Sequence, residues 1–149
     1  MSAQTLNAFS VDVEDYFQVS AFEKHVSRDR WSDYESRVEQ NTHRLLHLLN
    51  AHQVPATFFV LGWIARQFPT LVRDIHRAGH EIGSRSYWHR LVYDLTPDQF
   101  RDDLVESRKV LEDAIGERVV AYRAPSFSIT RQSLWALDIL VQEGFTFDS

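Results

Sequence analysis

The amino-acid sequence predicts an α/β fold: a partial or distorted (β/α) barrel of parallel strands, truncated after about five strands. Short apolar segments alternate with amphipathic helical segments along the whole chain, which is typical of parallel sheets. Three of the helical segments end at a glycine, Gly79, Gly116 or Gly144, and a short extended segment follows each one. Glycine just past a helix supplies the left-handed cap that other residues resist.

The first half of the chain supplies two predicted strands and one predicted helix. Residues 6–11 form the first strand, and the apolar run 56–61 is of the kind buried on both faces of a parallel sheet. Between them lies an apolar helical face made of Val38, Leu45, Leu46, Leu48 and Leu49. Residues 16–36 are rich in charged and aromatic side chains. A loop of that length is often functional, although a plain surface excursion is the alternative.

The second half supplies three helix–strand pairs, which brings the prediction to about five strands and four helices. Thr96, Pro97 and Gln99 form an N-terminal capping box with proline at the first helical position, and Thr130 precedes the last helix in the same way. The pairs are a helix through 71–75 with strand 80–83, a helix at 98–115 with strand 118–122, and a helix at 132–143 with strand 145–147.

The chain stops at Ser149, directly after the fifth predicted strand. A full (β/α) barrel usually needs ~200 residues or more. We therefore expect residues 1–149 to form a single domain that is incomplete at its C-terminus.

Composition excludes several classes of function. The chain has no cysteine, so it can form neither disulfides nor thiolate zinc sites. Its net charge of -5 is spread along the chain, which argues against a nucleic-acid partner. No segment has the ~20 apolar residues of a membrane span, and the N-terminus carries no signal peptide. We therefore expect the chain as written to be cytoplasmic.

Two carboxylates follow the first predicted strand. Side chains alternate between the faces of a strand, so Asp12 and Glu14 point the same way. Two carboxylates close together near a core repel each other and lose solvation unless a cation joins them. One interpretation is a base beside a metal ligand, and the other is a helix cap beside an ordinary surface charge.

Two further polar side chains follow later strands. His89 comes after the third strand, where it is either a ligand or a structural histidine. Arg123 comes after the fourth strand, followed by a turn stiffened by Pro125. An arginine at this position either orients a carboxylate through a bidentate pair or forms a surface salt bridge. The placement of these groups at successive strand ends favours a shared site.

Four segments taken together resemble one known family. Residues 7–20 (NAFSVDVEDYFQVS), 56–63 (ATFFVLGW), 79–89 (GHEIGSRSYWH) and 122–130 (YRAPSFSIT) are similar to the polysaccharide deacetylase family, also called the NodB-homology domain. The branch associated with bacterial exopolysaccharide loci is the most similar. The resemblance implies a distorted (β/α) barrel, a divalent metal such as zinc, and hydrolysis of N-acetyl groups on an amino-sugar polysaccharide or oligosaccharide.

The resemblance also implies a role for individual residues. Asp12 matches the general base of the family, and Arg123 matches the arginine that holds it. Glu14 and His89 match metal ligands. A backbone N–H near Ser126 is implied to help stabilise the oxyanion. The residues implied to contact substrate are Tyr16, Trp88, Pro125, Ser126 and Phe127.

The sequence departs from the family pattern at one position. The first histidine of the metal-binding pair should fall at residue 85, where this chain has Arg85. Arginine stays protonated and offers no lone pair to a metal. We expect Arg85 to balance the charges of Asp12 and Glu14 in place of a metal, leaving a folded site with weak or absent catalysis.

The sequence therefore leaves three functions open. The first is a metal-dependent carbohydrate N-deacetylase. The second is a metal-free relative that binds a glycan without hydrolysing it, and the third is a fragment with no independent function. The aromatic side chains available for glycan binding are Tyr16, Phe17, Tyr87, Trp88 and Phe127.

Overall fold

Five parallel strands form one open sheet in chain order. The structure is a computed structural model and describes residues 7–149. The predicted parallel α/β fold with about five strands is confirmed. The strands are β1 (Ser10–Val13), β2 (Thr57–Val60), β3 (Glu81–Ser84), β4 (Ala121–Tyr122) and β5 (Phe147–Asp148).

Within residues 7–149, five α-helices connect the strands, one more than predicted. They are α1 (Val38–His52), α2 (Gly62–Gln67), α3 (Pro69–Arg77), α4 (Pro97–Ile115) and α5 (Trp135–Gln142). The additional helix is α2, which Phe68 separates from α3. Pro69 starts α3 because proline fits the first helical position, where no intrahelical N–H bond is needed. Among the residues that the structure describes, no helix is both long and apolar enough to cross a bilayer.

The ends of α4 were predicted correctly, but the start of α5 was not. Thr96 caps α4 with a capping box, and Gly116 ends it with φ 74°. Thr130 does not cap α5. Its backbone N–H instead donates to Ser133 Oγ at 2.8 Å, and the Ser133 hydroxyl donates to the carbonyl of Ser128 at 3.0 Å. This side-chain turn delays the helix until Trp135.

The strands also differ from their predicted bounds. Residue 6 of the first predicted strand lies outside the described residues, and β1 runs on to Val13, so that Asp12 lies within the strand. β4 and β5 contain two residues each. Aspartate is depleted in strands, but Asp12 lies in the ladder of β1, opposite Phe59 on β2.

The two faces of the sheet have different neighbours. Phe58 and Val60 are fully buried in the main hydrophobic core, which the helices cover. Leu48, predicted to face that core from α1, is instead 55% exposed. Phe59 points to the opposite face, where it lies between Asp12 on β1 and Gly83 on β3.

Close approach of Phe59 explains the glycine on β3. A Cβ atom at Gly83 would lie 2.6 Å from the Phe59 ring, which is too close for a larger residue. The Phe59 ring in turn lies 4.2 Å below the guanidinium of Arg123. The face of the sheet that carries Phe59 therefore supports Arg123, one of the side chains that the sequence predicts to lie in the functional site.

Candidate active site

The polar residues after the strands meet at the C-terminal edge of the sheet. Arg85, just after β3, contacts both acids of the β1 end: its Nη1 lies 3.1 Å from Asp12 Oδ2 and its Nε lies 3.0 Å from Glu14 Oε2. The side chain of Arg85 is only 8% exposed. Since guanidinium forms short, direct contacts with two carboxylates here, it neutralises much of their mutual repulsion.

Arg123 holds the second oxygen of Asp12. Its Nη1 donates to Asp12 Oδ1 at 2.9 Å, and its Nη2 donates to Ser10 Oγ at 2.8 Å and to Ser149 Oγ at 2.7 Å. The guanidinium is stacked on Phe59, so its direction is fixed from below. The carboxylate of Asp12 is therefore held between two arginines, one on each oxygen.

His89 is buried beside Glu14 and adopts an unusual backbone conformation, with φ 52°. Its Nε2 lies 2.9 Å from Glu14 Oε2, but the direction does not make a hydrogen bond, so this buried nitrogen has no hydrogen-bond partner among the described residues. Its Nδ1 lies 3.4 Å from Ser20 Oγ, which also contacts Ser126 Oγ at 3.2 Å. Sequence reasoning assigned no role to Ser20, although it ends the first matching motif.

Glu14, rather than its neighbour Asp15, faces this cluster. Asp15 points into the loop that follows β1, where it accepts hydrogen bonds from Ser36 Oγ at 2.6 Å and from the backbone N–H of Arg37 at 3.0 Å. Asp15 therefore anchors the loop, and Glu14 is left as the acid between Arg85 and His89.

The surroundings of Glu14 hold it in the charged form. Burial alone would raise the pKa of its carboxyl group, but the close contact with His89 and the hydrogen bonds and charge of Arg85 outweigh burial and lower the pKa from 4.5 to about 2. Glu14 is therefore ionised across the physiological range of pH, and it can act as a counter-ion but not as a proton donor.

The lowered pKa of Glu14 predicts that the fold loses stability at acid pH. Because the pKa of Glu14 is lower in the folded chain, its stabilising effect is complete above pH ~4.5 and is lost as the pH falls towards about 2. The lost stability is about 3 kcal/mol. Urea unfolding of the protein and of Glu14→Gln, from pH 7 to 2, should show a difference that closes in this window.

Glu39→Gln is the matched control, because Glu39 is exposed on α1. Its stability difference from the unchanged protein should vary far less with pH. A Glu14→Gln difference that stays constant from pH 5 to 2 would contradict the prediction.

The residues predicted to contact substrate do not all lie together. Ser126 and Phe127 are exposed and line a cavity of about 210 Å³ together with Asp12, Arg85 and Arg123. Both have positive φ, 49° and 54° respectively. Strained backbone of this kind clusters at functional sites.

The other predicted contacts are placed differently. Pro125 is the buried residue of the turn that carries Ser126 and Phe127. Trp88 is half-buried, with its ring 5.9 Å from the ring of Trp31. Tyr16 lines a second cavity of about 320 Å³ beside α1, where its ring lies 5.1 Å from the guanidinium of Arg37. The two cavities have only Asp12 in common, so Tyr16 is not brought into the same cavity as Phe127.

The side chains present do not fit a metal centre. Within residues 7–149, no three His, Cys, Asp or Glu side chains are grouped so that they could hold a metal ion. The cationic group that contacts both Asp12 and Glu14 is Arg85 itself. A catalytic zinc site normally takes three protein ligands, whereas only Glu14 and His89 remain of the three positions that the family resemblance implies.

These features define a class of protein. A parallel α/β sheet with acids, arginines and a histidine gathered at the C-terminal strand ends is the arrangement of an α/β-barrel enzyme or a close relative of one. The sequence profile of the polysaccharide deacetylase family matches residues 29–145, and the chain belongs to this family.

Relatives and solved structures agree with that family. The chain is 33% identical to a peptidoglycan-N-acetylglucosamine deacetylase of Bacillus cereus over 65% of this chain and 36% of the relative. It is 30% identical to a peptidoglycan deacetylase of Helicobacter pylori over 70% of this chain and 35% of the relative. The chain thus spans about a third of the length of these curated relatives.

The fold is shared with solved members of the family. A Mycobacterium smegmatis protein provisionally assigned to the polysaccharide deacetylases is 30% identical, with a TM-score of 0.77 over 95% of this chain and 49% of that one. A pseudoenzyme of the CE4 family from Bacillus anthracis shares the fold at 22% identity, with a TM-score of 0.71 over 95% of this chain and 41% of that one.

Proposed function

We propose that this site binds an N-acetylated amino-sugar polysaccharide or oligosaccharide, and that it derives from a carbohydrate N-deacetylase of the exopolysaccharide-associated branch. The pair between Asp12 and Arg123 carries the proposal. It places an oriented carboxylate in an open cavity at the strand ends, where α/β-barrel enzymes act. Membership of the family and the peptidoglycan deacetylases among its relatives support an N-acetylated glycan as ligand.

In this proposal Asp12 is the base that takes a proton from the attacking water, and Arg123 is the residue that orients it. Arg123 fixes one oxygen of the carboxylate and leaves the other available for a proton. The backbone N–H near Ser126 is the proposed donor to the oxyanion that forms on the acetyl carbonyl. In the present chain, however, the second oxygen of Asp12 is engaged by Arg85.

Arg85 is the reason that we expect hydrolysis to be suppressed. Arg85 and Arg123 each engage one oxygen of the Asp12 carboxylate, so neither oxygen is left free to face an attacking water. The guanidinium of Arg85 also occupies the side of Glu14 that a divalent ion would need. We therefore infer that the divalent metal of the family, zinc by resemblance, binds here only when residue 85 supplies a ligand.

Glycan binding without hydrolysis is the second function, and one observation favours it. Phe127 is 87% exposed at the rim of the cavity, on a backbone with positive φ. A large exposed aromatic held in a strained conformation beside a polar cavity is suited to stack on a sugar ring. This function needs neither a metal nor a free base.

The proposal is tested by titrating the protein with N-acetylated chito-oligosaccharides in a calorimeter and by assaying acetate release from the same ligands. We expect binding, and no acetate release either with or without added zinc. Phe127→Ala should weaken binding about tenfold, or ~1.4 kcal/mol. Tyr93→Ala is the control, because Tyr93 is also exposed but lines neither cavity.

Each contrary result has a separate meaning. Absence of binding to any N-acetylated glycan would overturn the proposed ligand. Acetate release by the unchanged protein would overturn the proposed suppression by Arg85. Equal losses of glycan affinity in the Phe127 and Tyr93 variants would mean that Phe127 is not part of the binding surface.

A further inference from the structure

A buried carboxylate outside the candidate site contacts the segment that connects two of its residues. Asp103 lies on α4 and is only 7% exposed. Its Oδ1 accepts from Ser86 Oγ at 3.2 Å and from the backbone N–H of Trp88 at 3.4 Å, and its Oδ2 accepts from the backbone N–H of Tyr87. The three donors belong to the consecutive residues 86, 87 and 88. We call residues 85–89 the 85–89 segment.

The 85–89 segment carries Arg85 at one end and His89 at the other. Both end residues contact Glu14, so the shape of the segment decides how the two side chains stand relative to that acid. The segment contains two non-glycine residues with positive φ, Ser86 at 70° and His89 at 52°. Such conformations persist only where surrounding contacts hold them.

A second residue of α4 holds the same segment from the next helical turn. Ser107 lies four residues after Asp103, so both side chains share one face of the helix. Its hydroxyl donates to the backbone carbonyl of Ser86 at 3.1 Å, and it contacts Ser84 Oγ at 2.8 Å. Asp103 thus accepts from three donors of the segment, and Ser107 donates to one of its carbonyls.

We propose that Asp103 is a positioning residue for the candidate site: by accepting three hydrogen bonds from the 85–89 segment, it sets the places of Arg85 and His89 against Glu14. The proposal deepens the proposed function, because it concerns the same site. Asp103 lines none of the cavity beside Phe127, so it acts through the segment and not on a ligand.

The chemistry of the contacts explains why this residue is an aspartate. Three donors converge on two oxygens, and only an ionised carboxylate accepts from all of them. Burial raises the pKa of Asp103, so an ionised carboxylate at this position has a cost in desolvation free energy. An apolar residue would be the more stable choice for a position that served only to fill the core.

The test compares Asp103→Asn with Asp102→Asn, since Asp102 is the exposed neighbour on the same helix. Amide hydrogen exchange at Tyr87 and Trp88, and the ring signals of His89, are measured by NMR without any glycan. We expect at least tenfold faster exchange at both amides and displaced His89 signals in Asp103→Asn. Asp102→Asn should leave these signals as they are in the unchanged protein.

A second readout uses zinc affinity in the Arg85→His background. There Asp103→Asn should weaken zinc binding 10- to 100-fold, as expected when a residue that orients a metal ligand is lost. If Asp103→Asn does not fold, Ser86→Ala removes one of the same three contacts and should give a smaller change in the same direction.

Two results would overturn the inference. The first is unchanged exchange and unchanged His89 signals in Asp103→Asn. The second is a general loss of stability with the His89 signals in place, which would make Asp103 a purely structural residue. Since neither NMR readout involves a glycan, failure of the proposed function would leave the inference standing, and failure of the inference would leave glycan binding untouched.

Discussion

Arg85→His is expected to create a site that binds one zinc ion per chain. The substitution removes the cation that now contacts Asp12 and Glu14 and adds an imidazole beside Glu14 and His89. Three protein ligands are the usual set for a catalytic zinc. Loss of a residue that merely orients a ligand costs about 10- to 100-fold in affinity, so the gain of a ligand should be at least 100-fold.

Zinc content by mass spectrometry and zinc affinity by calorimetry measure this result directly. Arg85→Gln is the matched control, because it removes the positive charge without supplying a strong metal ligand. We expect Arg85→Gln to bind zinc far more weakly than Arg85→His. Equal uptake by the unchanged protein and both variants would contradict the role that we give to Arg85.

The sequence was sufficient to predict which groups meet at the site, because strand order alone brings the C-terminal strand ends together. Asp12, Glu14, Arg85 and Arg123 form one cluster, in which Arg85 contacts both acids and Arg123 contacts Asp12. Asp12, Glu14 and Arg123 were chosen from their places after strands, whereas Arg85 was chosen because it stands where the family resemblance implies a histidine. The pairing of Arg85 with both acids was predicted from the family resemblance together with charge, since two carboxylates on one strand face need a cation.

The sequence was a poorer guide where hydrogen bonds from a side chain determine the local backbone conformation. The Ser133 hydroxyl delays α5 by closing a turn that no periodicity records. Tyr16 lies near Asp12 in the chain but lines only the cavity beside α1, and not the cavity that Asp12 shares with Phe127. It follows Asp15, which anchors the loop after β1. Spacing gives neighbours along a strand, but it does not give the direction of an irregular loop.

Asp103 shows a signal that sequence reasoning missed and could have used. It falls on the buried face of α4 together with Phe100, Leu104 and Leu111. An acid at a position where helical periodicity demands an apolar residue needs hydrogen-bond donors from elsewhere in the fold. The pattern therefore marks Asp103 as a residue with partners, but only the three-dimensional structure identifies them as the 85–89 segment.

Arg85→Met is expected to destabilise the fold by about 2–4 kcal/mol at pH 7, because it leaves two partly buried carboxylates without their shared cation. Glu14→Gln alone should cost no more than about 3 kcal/mol, the stability tied to its lowered pKa, since Arg85 keeps its contact with Asp12. In the double variant the losses should not add. The coupling between Arg85 and Glu14 should be about 1–3 kcal/mol, obtained from urea unfolding of the four proteins.

The pair between Lys109 and Asp113 on α4 supplies the control cycle. Its atoms lie 3.1 Å apart, like those of the Arg85 pair, but its side chains are 73% and 67% exposed. Solvent screens such a pair, so its coupling should stay below ~0.5 kcal/mol. A coupling of similar size in both cycles would mean that Arg85 is an ordinary ion-pair partner. A much larger coupling at Arg85 is what a guanidinium in the place of a metal ion requires, because the two acids then depend on that one charge.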